Sequence, residues 1–129
     1  MEPVIKPKLI FKSFGLKGIK FQGDPVLPPA DFYVDCRGLP DGLQAFASGS
    51  SPMLQKLMEQ QGILTLDAMY ALIEDGLQRI PTRRSETPTP YEKPYVVAFF
   101  CAHGIHRSRG AKEILARNFR ASGFDVTIE

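Results

Sequence analysis

Short apolar runs punctuated by glycine and proline open the chain, and longer helical periodicities follow. "KLIFKSFG", Lys8–Gly15, predicts a strand closed by a glycine, and "DFYVDCRG", Asp31–Gly38, predicts a second strand rich in aromatic and branched residues. "DPVLPPA" between them is too proline-rich for a helix, and the segment after Gly38 reads as a loop. Two helices come next. In the first, Ser51 is placed as a cap, Pro52 in the first turn, and Met53, Leu54, Leu57 and Met58 on one face, with Gly62 as the stop. In the second, Thr65 is placed as the cap and Asp67 near the positive end of the helix dipole. Leu66, Met69, Tyr70, Ile73, Leu77 and Ile80 form its buried stripe, and Pro81 ends it.

Pro81–Pro94 is rich in proline, serine and threonine and reads as an exposed loop. "YVVAFFC", Tyr95–Cys101, is apolar on both faces, the pattern of a central strand in a parallel sheet. A helix with Ala111, Ile114, Leu115 and Phe119 on its inner face follows, closed by Gly123, and "FDVTI" is a last strand. The order predicts a small single-domain α/β sandwich over residues 1–129, with a mainly parallel sheet flanked by helices.

Composition narrows the class. At 129 residues, with 43% hydrophobic and 23% charged positions, the chain has the balance of one soluble globular domain. A net charge of +2 does not by itself announce a nucleic-acid binder. Two cysteines, Cys36 and Cys101, without a Cys-x-x-Cys, do not make a disulfide scaffold, and an intracellular, cytoplasmic setting is the simpler expectation. The opening "MEPVIKPKLIFKSF" lacks the apolar core of a signal peptide, and no run approaches the roughly 18 apolar residues of a membrane span.

The chemistry concentrates in "CAHGIHRS", Cys101, Ala102, His103, Gly104, Ile105, His106, Arg107 and Ser108. It lies where ligands bind in open α/β sheets, beyond the carboxyl end of a strand, and it feeds a helix N-terminus whose N–H groups attract anions. Gly104 lets the amides curl inward, Arg107 can grip two oxygens, Ser108 can cap the helix or donate, and the histidines add adjustable donors. The plain alternative is a turn capped by Ser108. Cys-x5-Arg-Ser is also the spacing of cysteine-dependent phosphatases, in which Cys101 would attack phosphorus. Those loops carry a histidine where Phe100 stands and need a general acid, for which Asp35 and Asp41 are the candidates. A buried Cys101 lining the strand end is the bland counterpart.

Three segments together resemble one family. Ser13-Phe14-Gly15, Asp35-Cys36-Arg37-Gly38-Leu39-Pro40 and the Cys101–Ser108 loop occur in the order found in the C-terminal domain of the RNase adapter protein RapZ family. The resemblance implies an amino-sugar phosphate sensor (glucosamine 6-phosphate) that also binds small regulatory RNAs and is not a phosphatase. Its P-loop domain has no counterpart here, since no GxxxxGK[ST] is present. The family's threonine after the cysteine is Ala102 here, one glycine is His103 and its lysine is Ile105. Its basic tail has no counterpart either. On this basis Asp35 and Arg37 join the ligand site, Arg37 as a cationic wall and Asp35 bonding a sugar hydroxyl or orienting a histidine. The alternative is a local ion pair bracing the following turn.

The expected partners are a phosphate-bearing small molecule, structured RNA, and a second copy of the chain. No cofactor or metal is expected, because Cys101, His103 and His106 lack a fourth ligand. Arg107, Arg109, Lys112, Arg117 and Arg120 form a candidate RNA surface, with Arg79, Arg83 and Arg84 as a second group. The alternative is an ordinary solvated helix face.

Overall fold

The computed structural model describes residues 7–16, 27–39, 52–79, 94–102 and 107–129. Its elements are β1 (Leu9–Gly15), β2 (Phe32–Asp35), α1 (Pro52–Gln61), α2 (Ile63–Gln78), β3 (Tyr95–Cys101), α3 (Arg107–Ala121) and β4 (Val126–Ile128). The four strands form one sheet in the order β2-β3-β1-β4, with every neighbouring pair parallel. The fold is therefore α/β, an all-parallel sheet flanked, among the described residues, by three helices. No helix among the described residues is long and apolar enough to cross a membrane.

β3 is central, as its continuous apolar run predicts, with β2 on one side and β1 on the other. In-register residues of parallel neighbours share a face. Leu9 and Phe11 of β1, Tyr95, Val97, Phe99 and Cys101 of β3, and Val34 followed by Cys36 form one buried layer. Phe119 of α3 lies edge-on to Phe11 at 5.7 Å and stacks on Tyr70 of α2 at 4.1 Å. That ring joins sheet, α3 and α2 in one core. Buried Met58 adds α1, and Arg117 of α3 pairs with Glu59 of α1 at 3.1 Å.

The end of α3 follows from Gly123, whose φ of 92° lies in the left-handed region that glycine enters without a Cβ clash. The Gly123 N–H bonds the Arg120 carbonyl at 3.0 Å and the Phe124 N–H bonds the Phe119 carbonyl at 3.0 Å. The rings of Phe119 and Phe124 meet at 5.4 Å, the apolar contact that accompanies this cap.

The helix starts correct three expectations. Thr65 does not cap α2: the helix begins at Ile63, Gly62 is the capping residue without a side-chain bond, and Leu66 N–H already bonds the Gly62 carbonyl at 2.9 Å. Asp67 consequently lies beyond the first turn, which holds no acidic residue. α1 stops only one residue earlier, so Gly62 both closes it and opens α2. Met53 is 69% exposed rather than on the buried face. The contact line of α1 runs through Gln55 and Met58, both buried, and Met53 stands about 140° around the helix from Met58. Ser51, Ile80, Pro81 and the side chain of Leu54 lie outside what is described.

Candidate functional site

Parallel strands all deliver their carboxyl ends to one rim, and β2 and β3 are neighbours there. Asp35 ends β2, Cys101 ends β3, and Arg107 opens α3. The structure thus draws together Asp35, Arg37, Cys101, Arg107 and Ser108, which the sequence separates by up to 73 positions. Ala102 follows Cys101 on the same rim and is half-buried. His103, Gly104, Ile105 and His106 lie outside the described residues, as do Pro40 and Asp41.

Asp35 and Arg37 form a two-pronged ion pair. Arg37 Nε donates to Asp35 Oδ1 at 2.9 Å and Nη2 donates to Oδ2 at 2.7 Å, while the Arg37 backbone N–H also reaches Oδ1 at 3.0 Å. Both side chains remain about half exposed. The Arg37 hydrogen bonds hold the Asp35 carboxyl below its ordinary range, and the more distant Arg107 charge adds to the effect. The same pairing raises the already high range of Arg37. Arg37 also lies over the Phe100 ring, 5.7 Å from its centre, a cation–π arrangement. The local ion pair weighed from the sequence is therefore present. It braces a turn in which Leu39 N–H bonds the Cys36 carbonyl at 3.1 Å.

Arg107 ties α3 to this turn. Its Nη1 donates to the Arg37 carbonyl at 2.7 Å. Ser108 stands inside the first turn of α3 rather than at the capping position, and its fully buried hydroxyl faces inward. Cys101 Sγ donates to Ser108 Oγ at 3.2 Å. Strand end, helix start and β2 turn are thereby joined by one short chain of polar contacts.

The arrangement has clear chemical capacities. The first turn of α3 holds Arg107 and Arg109 and no acid. Cations at the positive end of a helix dipole are unfavourable unless an anion offsets them. Asp35 cannot serve as a general acid near neutrality, because its proton is already lost and both its oxygens are engaged. Among the described residues no group of three or more metal-ligating side chains converges.

The candidate RNA surface is partly consumed by the fold. Lys112 is buried and its Nζ donates to the Glu129 carbonyl at 3.0 Å. Arg120 reaches the Val126 carbonyl through Nε at 3.2 Å and Nη2 at 2.8 Å, and Arg117 is paired with Glu59. In the second group, Arg79 is paired with Asp75, and Arg83 and Arg84 lie outside the described residues. A shallow cleft lined by Asp67, Tyr70, Asn118 and Ser122 lies at the far end of α3, away from the rim.

Two participants escape sequence reasoning. The Arg37 carbonyl acts as the acceptor for Arg107, which no residue pattern announces. Cys36 faces the core beside Cys101, and only its two-residue spacing from Val34 hints at this.

The fold and rim define a class, a parallel α/β chain with a basic strand-to-helix junction. No protein-family model matches the chain. It is 32% identical over 123 residues to a protein of Bifidobacterium longum strain DJO10A named "Nucleotide-binding protein", and equally to one of Bifidobacterium longum subsp. infantis with the same description. Each match covers 90% of this chain and 33% of the relative, so the chain spans about a third of the length of the curated relatives it matches.

Proposed function

We propose that the chain is a single anion-binding regulatory domain, similar to the RapZ C-terminal domain, that holds a phosphate-bearing small molecule at the Cys101–Ser108 loop. The observation that carries this reading is the junction of two arginines from separate elements. Arg107, at the acid-free start of α3, grips the carbonyl of Arg37 at 2.7 Å on the ligand-binding rim of a parallel sheet. Arg37 and Asp35 would then form one wall of the site and the amides of residues 102–108 its floor. The resemblance carried by Ser13-Phe14-Gly15, Asp35–Pro40 and Cys101–Ser108 implies a phosphosugar. The names of the longer relatives agree with a phosphate-bearing ligand more generally.

The test is calorimetry with inorganic phosphate and with glucosamine 6-phosphate, on wild type and Arg107→Ala. Loss of a charge-assisted bond should weaken binding by roughly 2 kcal/mol. Equal affinity in the two proteins would show that the site lies elsewhere.

The Cys101–Ser108 bond favours a second reading, because a hydroxyl beside the cysteine is what a phosphatase loop uses to steady its thiolate. Against it stand the 2% exposure of Cys101 and the ionised, fully engaged Asp35. We expect no sustained hydrolysis of an aryl phosphate between about pH 5 and 8. Turnover that disappears in Cys101→Ser would establish the enzyme instead.

A further inference from the structure

We propose that the cleft between α2 and the end of α3 is a second binding site, for a primary ammonium group. It is independent of the anion-binding reading and lies apart from that site. Asp67 and Tyr70 of α2 line one side, and Asn118, Ala121 and Ser122 line the other. Arg107 opens α3 and Ala121 ends it, so the cleft lies about 20 Å along the helix from the rim. Its volume of about 500 Å³ is within the range of small-molecule sites.

One wall of the cleft is held in place by the core. The Tyr70 ring stacks on fully buried Phe119 at 4.1 Å, and Phe119 in turn meets Phe11 of the sheet at 5.7 Å. The Tyr70 hydroxyl shares a hydrogen bond of 2.8 Å with Ser122 Oγ. That bond ties α2 to the end of α3, so an incoming group meets a preformed surface.

The lining selects a cation. Among the described residues, the Asp67 carboxylate is its one charged group. The last turn of α3 adds the negative end of its dipole. The cations on this part of α3 are engaged elsewhere: Arg117 Nη2 donates to Glu59 at 3.1 Å, and Arg120 donates to the Val126 carbonyl through Nε and Nη2. A bare divalent ion is a poor match, because it takes six or more oxygen ligands and only one carboxylate lines the cleft. A primary ammonium matches better. It brings three N–H donors, and the Asp67 carboxylate, the Asn118 amide oxygen and the Tyr70–Ser122 hydroxyl pair offer acceptors of three kinds. Its alkyl stem has the Ala121 methyl and the Tyr70 ring to lie against. Two sources share this chemistry, a free amine and a lysine side chain of another protein.

The experiment follows the backbone amide signals of the isotope-labelled full chain by nuclear magnetic resonance. The probe is n-butylammonium chloride at constant ionic strength, with 1-butanol as its uncharged counterpart. Saturable shifts at Tyr70, Asn118 and Ser122 are expected with the amine and not with the alcohol. Asp67→Asn should weaken the amine about fivefold, the scale of one exposed charge pair. Ala121→Leu, a helix-compatible change at an exposed position, should abolish binding by filling the cleft. Putrescine and N-acetyl-lysine methylamide then separate the sources. Tighter putrescine binding supports a free amine, and tighter binding of the lysine amide supports a lysine of another protein. An absence of saturable shifts at these residues, or full binding by Ala121→Leu, overturns the site. An equal response to 1-butanol, or an unchanged amine affinity in Asp67→Asn, overturns the ammonium assignment.

Discussion

Asp35 and Arg37 sit two residues apart, and their pairing was one of two readings open from the sequence. The ion pair is present because the chain turns immediately after β2, bringing the Arg37 guanidinium back over Asp35. The pair predicts a pH signature. The Asp35 carboxyl is held below its ordinary 3.8 by the Arg37 bonds, so it binds its proton less readily folded than unfolded. Its contribution to stability is therefore complete above about pH 4 and falls away as pH drops through the lower folded value. Thermal melts of wild type and Asp35→Asn should differ near neutrality and converge in acid. Because both side chains are about half exposed, the difference should be small. A constant gap at every pH would mean that the pair contributes nothing through its charge. As a candidate anion ligand at a helix start, Arg107 was legible in the sequence. Its bond to a backbone carbonyl 70 positions away was not.

The elements were largely legible because periodicity reports burial. Tyr95–Cys101 reads as a central strand from its unbroken apolar run, and it is one, with the bounds the run suggests. The helix starts were less legible. Thr65 has the right chemistry for a cap, but Gly62 serves as the hinge between α1 and α2, and the helix begins before Thr65 is reached. Met53 shows the same limit: an apolar residue at helical spacing is exposed because α1 meets its neighbours along Gln55 and Met58 instead. The closure of α3 was readable, and it predicts a cost. Gly123 holds a φ of 92°, where any Cβ is strained. Gly123→Ala should lower stability by about 1 kcal/mol, seen as a lower urea midpoint with an unchanged slope. An unchanged midpoint would show that the cap relaxes without loss.

At the scale of the whole molecule, the sheet order decides what the rim contains. β1 and β3 pair through seven residues, yet β2 also joins β3, and this second pairing sets the end of the Asp35 segment against the end of the Cys101 segment. A different strand order would leave the same motifs far apart. The basic residues of α3 show the reverse case. A helix rich in arginine and lysine suggests a nucleic-acid surface, but Lys112, Arg117 and Arg120 brace the C-terminal strand and α1. The sequence by itself determined the α/β class, the central strand and the glycine-closed last helix. Those depend on local periodicity, backbone freedom and residue chemistry, all of which travel with the chain. Tertiary structure alone decided that Arg107 meets the Arg37 carbonyl, that Ser108 turns inward to Cys101, and that Cys36 and Cys101 share the buried core. Those contacts depend on strand order and register, which arise only when distant segments choose one another during packing.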